Sequence, residues 1–194
     1  MSDIIRCFGG NDPLMIAYHD DEWGIPIHDD KIHYEFLILE GAQAGLSWKT
    51  ILHRREGYRK AFSNFDPEIV SQLTPKKVDE LLTFSGIIRN RRKVESAVKN
   101  AQAFIKIQDE YSSFDEYFWG WIDGKTKINS HTSWEKVPPY TDVSTKISKD
   151  LKKRGFSFVG PTVMYSHMQA TGLVNDHLTN CFRWSEINEL VEAK

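Results

Sequence analysis

Apolar residues three and four apart recur along most of the chain, and each such stretch is bounded by residues that start or stop a helix. In 31–45, Ile32, Phe36, Leu39 and Ala42 share one face, with Asp29-Asp30 placed to cap it. Segment 48–62 repeats the pattern with Ile51, Leu52, Tyr58 and Phe62, then stops at Ser63-Asn64-Phe65-Asp66-Pro67. Asp66-Pro67-Glu68 and Thr74-Pro75-Lys76 each set a capping side chain before a proline at the first helical position, and the second pattern runs on to Phe84. Residues 89–109 read as one long amphipathic helix with Val94, Ala97, Ala101, Phe104 and Ile105 inward, and 145–154 and 162–171 complete the set. The apolar stretch Phe156-Ser157-Phe158-Val159-Gly160-Pro161 ends as a loop leading into the last of these. Strand alternation is nearly absent, as are internal repeats and linkers. The expected fold is all-α, one domain over residues 1–194.

Composition narrows the class. A chain that is 40% hydrophobic and 12% aromatic can offset its conformational entropy, which argues against disorder. Two cysteines are too few for a disulfide scaffold. No apolar run approaches the roughly 18–20 residues that span a bilayer, and the first seven residues hold no apolar targeting core, so a cytoplasmic protein without membrane contact is expected. The net charge of −2 lacks the basic surplus usual for nucleic-acid binders. The cations are nevertheless clustered, at His53-Arg54-Arg55, Arg59-Lys60, Arg89-Asn90-Arg91-Arg92-Lys93 and Lys152-Lys153-Arg154. The acids gather elsewhere, at Asp20-Asp21-Glu22, Asp29-Asp30 and Asp109-Glu110. One basic face is compatible with that distribution; so is a series of solvated helix faces.

Three groupings carry chemistry. Cys7 and His19 lie near the start of the chain, and His177 and Cys181 near its end at a spacing that would put them on one helix face. Two cysteines and two histidines are a donor set for a closed, tetrahedral structural zinc, although spacing alone favours two buried thiols and two hydrogen-bonded histidines. Gly86-Ile87-Ile88 joins two helices, the second opening with Arg89, Arg91, Arg92 and Lys93, which suits a phosphate or an ordinary helical hairpin with a solvated start. Glu40 interrupts an apolar stretch beginning at Tyr34, so it either caps a helix end or is a buried carboxylate with a function. Gly41, Ala42, Ala44 and Gly45 leave room beside it, and Tyr18, Trp23 and Trp48 read as core aromatics or as pocket walls.

Eight blocks, taken in order, resemble the bacterial DNA-3-methyladenine glycosylase I family from about Cys7 to Cys181. They are Asp12-Pro13-Leu14, Ala17-Tyr18-His19-Asp20, Glu22-Trp23-Gly24, Leu39-Glu40-Gly41, Gln43-Ala44-Gly45-Leu46-Ser47-Trp48, Gly86-Ile87-Ile88-Arg89, Leu151-Lys152-Lys153-Arg154-Gly155-Phe156 and Gly172-Leu173-Val174-Asn175-Asp176-His177. The resemblance implies a helix-hairpin-helix DNA glycosylase fold of two helical lobes with a base pocket between them. It implies one structural Zn2+ on Cys7, His19, His177 and Cys181, clamping the chain ends together. Gly86, Ile88 and Arg89 would grip a DNA phosphate, while Gln43, Gly45 and Leu46 would fill the gap left by a flipped base. Tyr18 and Trp48 match stacking residues, Glu40 the base-reading and catalytic carboxylate, and Ser166 a residue near the pocket. After Cys7 the chain reads Phe8-Gly9-Gly10 where relatives often carry a tryptophan, and Met15 stands where some carry a tyrosine, which implies a less aromatic pocket. The activity implied is base-excision repair: hydrolysis of the N-glycosidic bond of 3-methyladenine in alkylated double-stranded DNA, by a monomer without lyase activity. Lys49, beside Trp48, is expected to point away from the pocket. The competing expectation is a zinc-stabilised module that binds damaged duplex without catalysis.

Overall fold

Helix α2 (Asp30–Gln43) is buried continuously from 33 to 42, so it has no solvent face for most of its length and must be wrapped by other elements. The computed structural model describes residues 4–193, and the described residues form eleven α-helices. The others are α1 (Pro13–Asp21), α3 (Trp48–Leu52), α4 (Arg55–Ala61), α5 (Pro67–Ser71), α6 (Pro75–Leu81), α7 (Arg91–Tyr111), α8 (Phe114–Trp119), α9 (Asp142–Lys153), α10 (Pro161–Ala170) and α11 (Phe182–Glu192). Two two-residue strands, β1 (Lys127–Ile128) and β2 (Val174–Asn175), pair in parallel. None of the described helices is long and apolar enough to cross a membrane.

The helix starts follow the local code. Side chains of Asp12, Asp29, Ser47, Asp66, Thr74 and Asn90 each accept a backbone N–H in the first turn of the helix that follows, and Thr141 and Ser144 form a reciprocal capping box at α9. Proline begins α1, α5, α6 and α10.

Three expectations are corrected. Segment 48–62 is two helices, because Arg54 leaves helical geometry (φ −109°, ψ 2°) and the break turns Arg55 inward. The guanidinium of Arg55 there meets Glu35 at 2.6 Å and Glu22 at 2.6 Å. The 74–84 helix stops at Leu81, leaving 82–90 as the connection to α7. His177 and Cys181 do not share a helix: Cys181 is the N-cap of α11 and a turn brings the two together. That backbone is held out of helix by its own partners, since the Asn175 side chain accepts from the His177 amide and donates to Trp184 O and Asn188.

The main core gathers around α2, α7 and α8, where Phe104 and Phe114 stack at 4.4 Å. A second cluster holds Tyr18, Trp23, Phe36, Leu52 and Ala170, with Cys7, Phe8, Met15, Ile32 and Trp48 packed against it. Helix α10 lies on α2, and their contact contains a buried imidazole pair, His33 Nδ1 to His167 Nε2 at 3.2 Å. Burial, reinforced by the neighbouring His33, pushes the His167 pKa down and keeps it neutral. Asp115 meets the other nitrogen of His33 at 3.1 Å.

Helix α4 and the 82–90 connection touch backbone to backbone. A Cβ on Gly57 would fall inside the envelope of the Gly86 carbonyl, and one on Gly86 inside the ring of Phe84. The Tyr58 hydroxyl, next in sequence, accepts the Ile88 amide at 3.2 Å. Gly57→Ala is therefore expected to lower stability by about 1–3 kcal/mol, the cost of forcing atoms into a packed contact. Chemical denaturation checks this; an unchanged midpoint would show that the turn yields freely.

Candidate active site

The ends of α1, α2 and α10 surround a cavity of about 280 Å³. Its walls are Phe8, Met15, Tyr18, Trp23, Glu40, Gln43, Trp48, Trp134, Ser166 and Gln169. Tyr18 and Trp48 face one another with ring centroids 5.2 Å apart, and Phe8 sets its edge on Trp23 at 5.1 Å. Tyr18 and Trp23 belong to the second hydrophobic cluster as well, so they are core and cavity wall at once. All five residues expected at a base pocket, Phe8, Tyr18, Glu40, Trp48 and Ser166, are brought together here.

Glu40 is 4% exposed, and its carboxylate accepts no hydrogen bond from any described residue. Burial alone pushes its pKa well above the ordinary carboxylate range. Helix α2 makes that position unavoidable: Glu40 lies two turns on from His33, on a helix with no solvent face at this level. Such a group costs stability unless a ligand completes it. A cation, or an N–H donor, in the cavity would do so.

A second cavity, about 180 Å³, shares Glu40, Gln43 and Ser166 and continues to Ala44, Gly45, Leu46, Thr162 and Val163. The 43–46 turn rims it. Gly45 sits at φ +78°, where a side chain would strain the backbone, and an added Cβ would meet nothing within 4 Å. Leu46 next to it is 41% exposed, an apolar side chain aimed at solvent from the mouth of the cavity. The turn is held from behind by Lys93, whose ammonium donates to Ala42 O and Ala44 O, each at 2.7 Å. Lys93 belongs to the first turn of α7, so the 43–46 turn and the 82–90 connection are joined.

The expected basic face is narrower than the charge runs suggest. Arg55 and Arg59 are spent on Glu35, and Arg154 on Asp150 and Glu110. Among the described residues, only Arg54, Arg89 and Arg92 of the arginines lack a carboxylate at ion-pair distance. Arg89 and Arg92 flank the start of α7, and Arg54 precedes the helix that packs on the 82–90 connection. The Ile88 amide is already taken by Tyr58, whereas the amides of Gly86 and Arg89 are among those of this connection that meet no described acceptor.

Behind the aromatic wall, one donor atom from each of Cys7, His19, His177 and Cys181 lies within 4.8 Å of all the others. The four sulfur–nitrogen edges are 3.4, 3.3, 3.3 and 3.6 Å. Zinc at ~2.3 Å from sulfur and ~2.0–2.1 Å from nitrogen in a tetrahedron requires such edges to be about 3.5 Å, so the donor set fits. Each imidazole has its outer nitrogen engaged: His19 Nδ1 with Asp20 at 2.7 Å, and His177 Nε2 with the Trp23 carbonyl at 3.0 Å. Those partners turn the other nitrogen of each ring, His19 Nε2 and His177 Nδ1, toward both sulfurs, with the Cys7 amide also 3.3 Å from His19 Nε2. The cluster supports the cavity directly, since Phe8 packs edge-on to His19 at 4.7 Å and Trp23 to His177 at 4.5 Å.

Trp134 and Gln169 were not found from the sequence, which leaves Trp23 open between core and pocket wall. Trp134 lies 127 residues from Cys7, whose carbonyl its indole N–H reaches at 2.9 Å, and no local pattern encodes that contact. Gln169 is held by Asp176 at 2.8 Å, a buried carboxylate that also accepts from Tyr165 and Asn129. Lys49 points away as expected, 2.8 Å from Asp12.

Comparison with known proteins agrees with this geometry. A sequence model of the methyladenine glycosylase family matches residues 8–184. The chain is 45% identical over 177 residues to DNA-3-methyladenine glycosylase 1 of Escherichia coli, covering 91% of this chain and 95% of that one. A crystal structure of a 3-methyladenine DNA glycosylase I superposes with a TM-score of 0.90 at 46% identity, covering 92% and 98% of the two chains. A second, a variant of 3-methyladenine DNA glycosylase I in complex with 3-methyladenine, gives 0.88 at 40% identity over 91% and 95%.

The environment of Glu40 has a measurable consequence for stability. Because its folded pKa lies above its ordinary value of 4.5, the folded state holds the proton where the unfolded chain releases it. Its neutral form is compatible with the core below about pH 4.5, and stability is lost as pH rises through the folded value. Glu40→Gln cannot ionise, so it is expected to raise the Tm at pH 8 by roughly 2–4 °C for each kcal/mol recovered, with the gain vanishing near pH 4. Thermal melts of both proteins across this range test the point, and a gain independent of pH would show that ionisation is not its source.

Proposed function

The chain belongs to the methyladenine glycosylase family, and from that premise we propose that it excises 3-methyladenine from alkylated double-stranded DNA. The reaction is hydrolysis of the N-glycosidic bond, yielding free base and an abasic site without a lyase step, by a protein acting as a monomer. The observation that carries the reading is Glu40, a buried carboxylate without a partner in a cavity walled by aromatic rings.

The chemistry suits those residues. Methylation at N3 makes the purine cationic, so when the bond between C1′ and the base breaks, its electron pair neutralises the departing base. Little help from a general acid is needed. The protein must instead hold a cation and favour the positive charge as it moves to the sugar. Tyr18 and Trp48 offer π faces that attract a cation, and Glu40 accepts hydrogen bonds from the adenine edge while its charge offsets the cationic ground and transition states. A bound cation also draws the Glu40 carboxyl back to its ionised form. Water then adds to C1′ and loses a proton to solvent. A lyase step would need an amine in the pocket, and Lys49 is engaged outside it by Asp12.

The DNA contacts follow from the rim. Leu46 is placed to enter the stack where the base leaves, with Gln43 beside it and Gly45 leaving room for close approach. Gly86, Ile88 and Arg89 form the hairpin of a helix-hairpin-helix element: the amides of Gly86 and Arg89 meet a phosphate, Tyr58 fixes Ile88, and the free guanidiniums of Arg89 and Arg92 add the charge. Cys7, His19, His177 and Cys181 would hold a single structural zinc, their four donor atoms leaving no open position for substrate and tying the chain ends together.

Methylated duplex DNA incubated with the protein is expected to release 3-methyladenine, detected by chromatography. No release by folded, metal-loaded protein would overturn the reading. Glu40→Gln is expected to slow excision roughly 10–100-fold, the worth of a hydrogen bond to a charged group, with the circular dichroism unchanged. Wild-type excision should rise with pH through the raised Glu40 pKa, and the variant should lose that limb. For the metal, elemental analysis should find one zinc per chain, depleted in Cys181→Ala together with a lowered Tm. Purified wild-type protein without bound metal would refute the site.

A further inference from the structure

Trp134 stands apart from the other rings of the cavity. Tyr18 and Trp23 are buried among apolar neighbours, as is Trp119 in the main core, whereas Trp134 is 40% exposed. It opens a short 3₁₀ turn, Trp134–Lys136, and the Glu135 and Lys136 that follow are solvent-exposed. Core packing therefore does not account for the residue, since a large aromatic ring left half in water forgoes much of the burial that stabilises it.

The ring is nonetheless held in place. Its N–H donates to the Cys7 carbonyl at 2.9 Å. Its centroid lies 6.3 Å from Phe8 and 6.1 Å from Trp23, tilted by 47° and 53°. It lines the same cavity as Glu40, Tyr18 and Trp48, at the edge that opens to solvent. An indole has two rotatable side-chain bonds, and with its N–H tethered it is ordered before any ligand arrives. Of the aromatic side chains it also attracts a cation most strongly.

We propose that Trp134 is a base-binding residue at the mouth of the pocket, stacking on the purine that has entered and shielding it from water. The assignment rests on the cavity being the base pocket. Tyr18 and Trp48 would then hold the base from within, while Trp134 closes over it from the opening. The tether to Cys7 makes the position of this ring depend on the clasp that joins the chain ends, so the cluster behind the wall also sets the shape of the mouth.

The test is calorimetric titration of free 3-methyladenine into the metal-loaded wild type, Trp134→Ala and Trp134→Phe, with metal content and melting measured for each. A duplex carrying an abasic-site analogue, which has no base to stack, serves as a second ligand. Trp134→Ala is expected to weaken base binding roughly 5–100-fold, the range for losing one base–aromatic stack, while affinity for the abasic duplex stays at the wild-type level. Trp134→Phe, which keeps a ring but loses the bond to Cys7, should retain most of the base affinity. Wild-type affinity in Trp134→Ala would overturn the proposal and leave the glycosylase reading standing. Equal losses in both variants would also overturn it, because the tether rather than the ring would then be what matters. A wild-type protein that binds no 3-methyladenine would instead remove the premise itself.

Discussion

Side chains 170 residues apart in sequence meet behind the wall of the pocket, where Cys7 and His177 approach to 3.3 Å. Most of what shapes the site is attached to that meeting point. Phe8 follows one donor in sequence and rests on the ring of another; Trp23 packs on His177 and accepts its outer N–H through the backbone. Trp134 is tied to the carbonyl of Cys7. Helix α1 contributes His19 to the cluster and Tyr18 to the pocket from adjacent positions, so any displacement of one moves the other. Closing a loop of this length carries a substantial entropic cost, and in a chain without disulfides a metal ion held by these four donors would offset it.

Against that rigid wall, the opposite side of the pocket carries stored cost. Helix α2 delivers Glu40 into the interior without a partner, and the buried His33–His167 pair holds α2 to α10 two turns away. A carboxylate made unstable by burial and kept in place by its scaffold would be stabilised by a cationic ligand entering the cavity. The surrounding rings serve both as core and as cavity wall, with faces apolar enough to pack and polarisable enough to attract a cation.

Charge distribution follows a similar economy. The net charge of −2 hides an interior network in which most arginines are neutralised by carboxylates of the same molecule. The guanidiniums left free gather around the connection between α6 and α7, beside the turn that presents Leu46. A cluster of unpaired guanidiniums at that place would suit a phosphate backbone.

Much of this was legible in one dimension. Helices were readable because periodicity, capping side chains and proline starts are local signals; Thr74-Pro75 and Asp66-Pro67 began helices where expected. The ordered motifs identified the family, and with it Glu40, Tyr18, Trp48 and the four cluster residues. What the sequence could not determine were the features that arise when distant segments meet. The break at Arg54 answers to Glu35 and Glu22, not to its neighbours. His177 and Cys181 share a turn instead of a helix because Asn175 bonds across it. Which arginines remain free depends on which carboxylates fold against the others. Gly57 looks ordinary until the backbone of Gly86 lies against it, and Trp134 carries no signal until its indole finds Cys7. The sequence by itself determined the elements and the chemistry available, because propensity and residue type act over a few positions. Only the tertiary structure decided which of those groups are buried, paired or left exposed, because burial and pairing are properties of contacts between segments far apart in the chain.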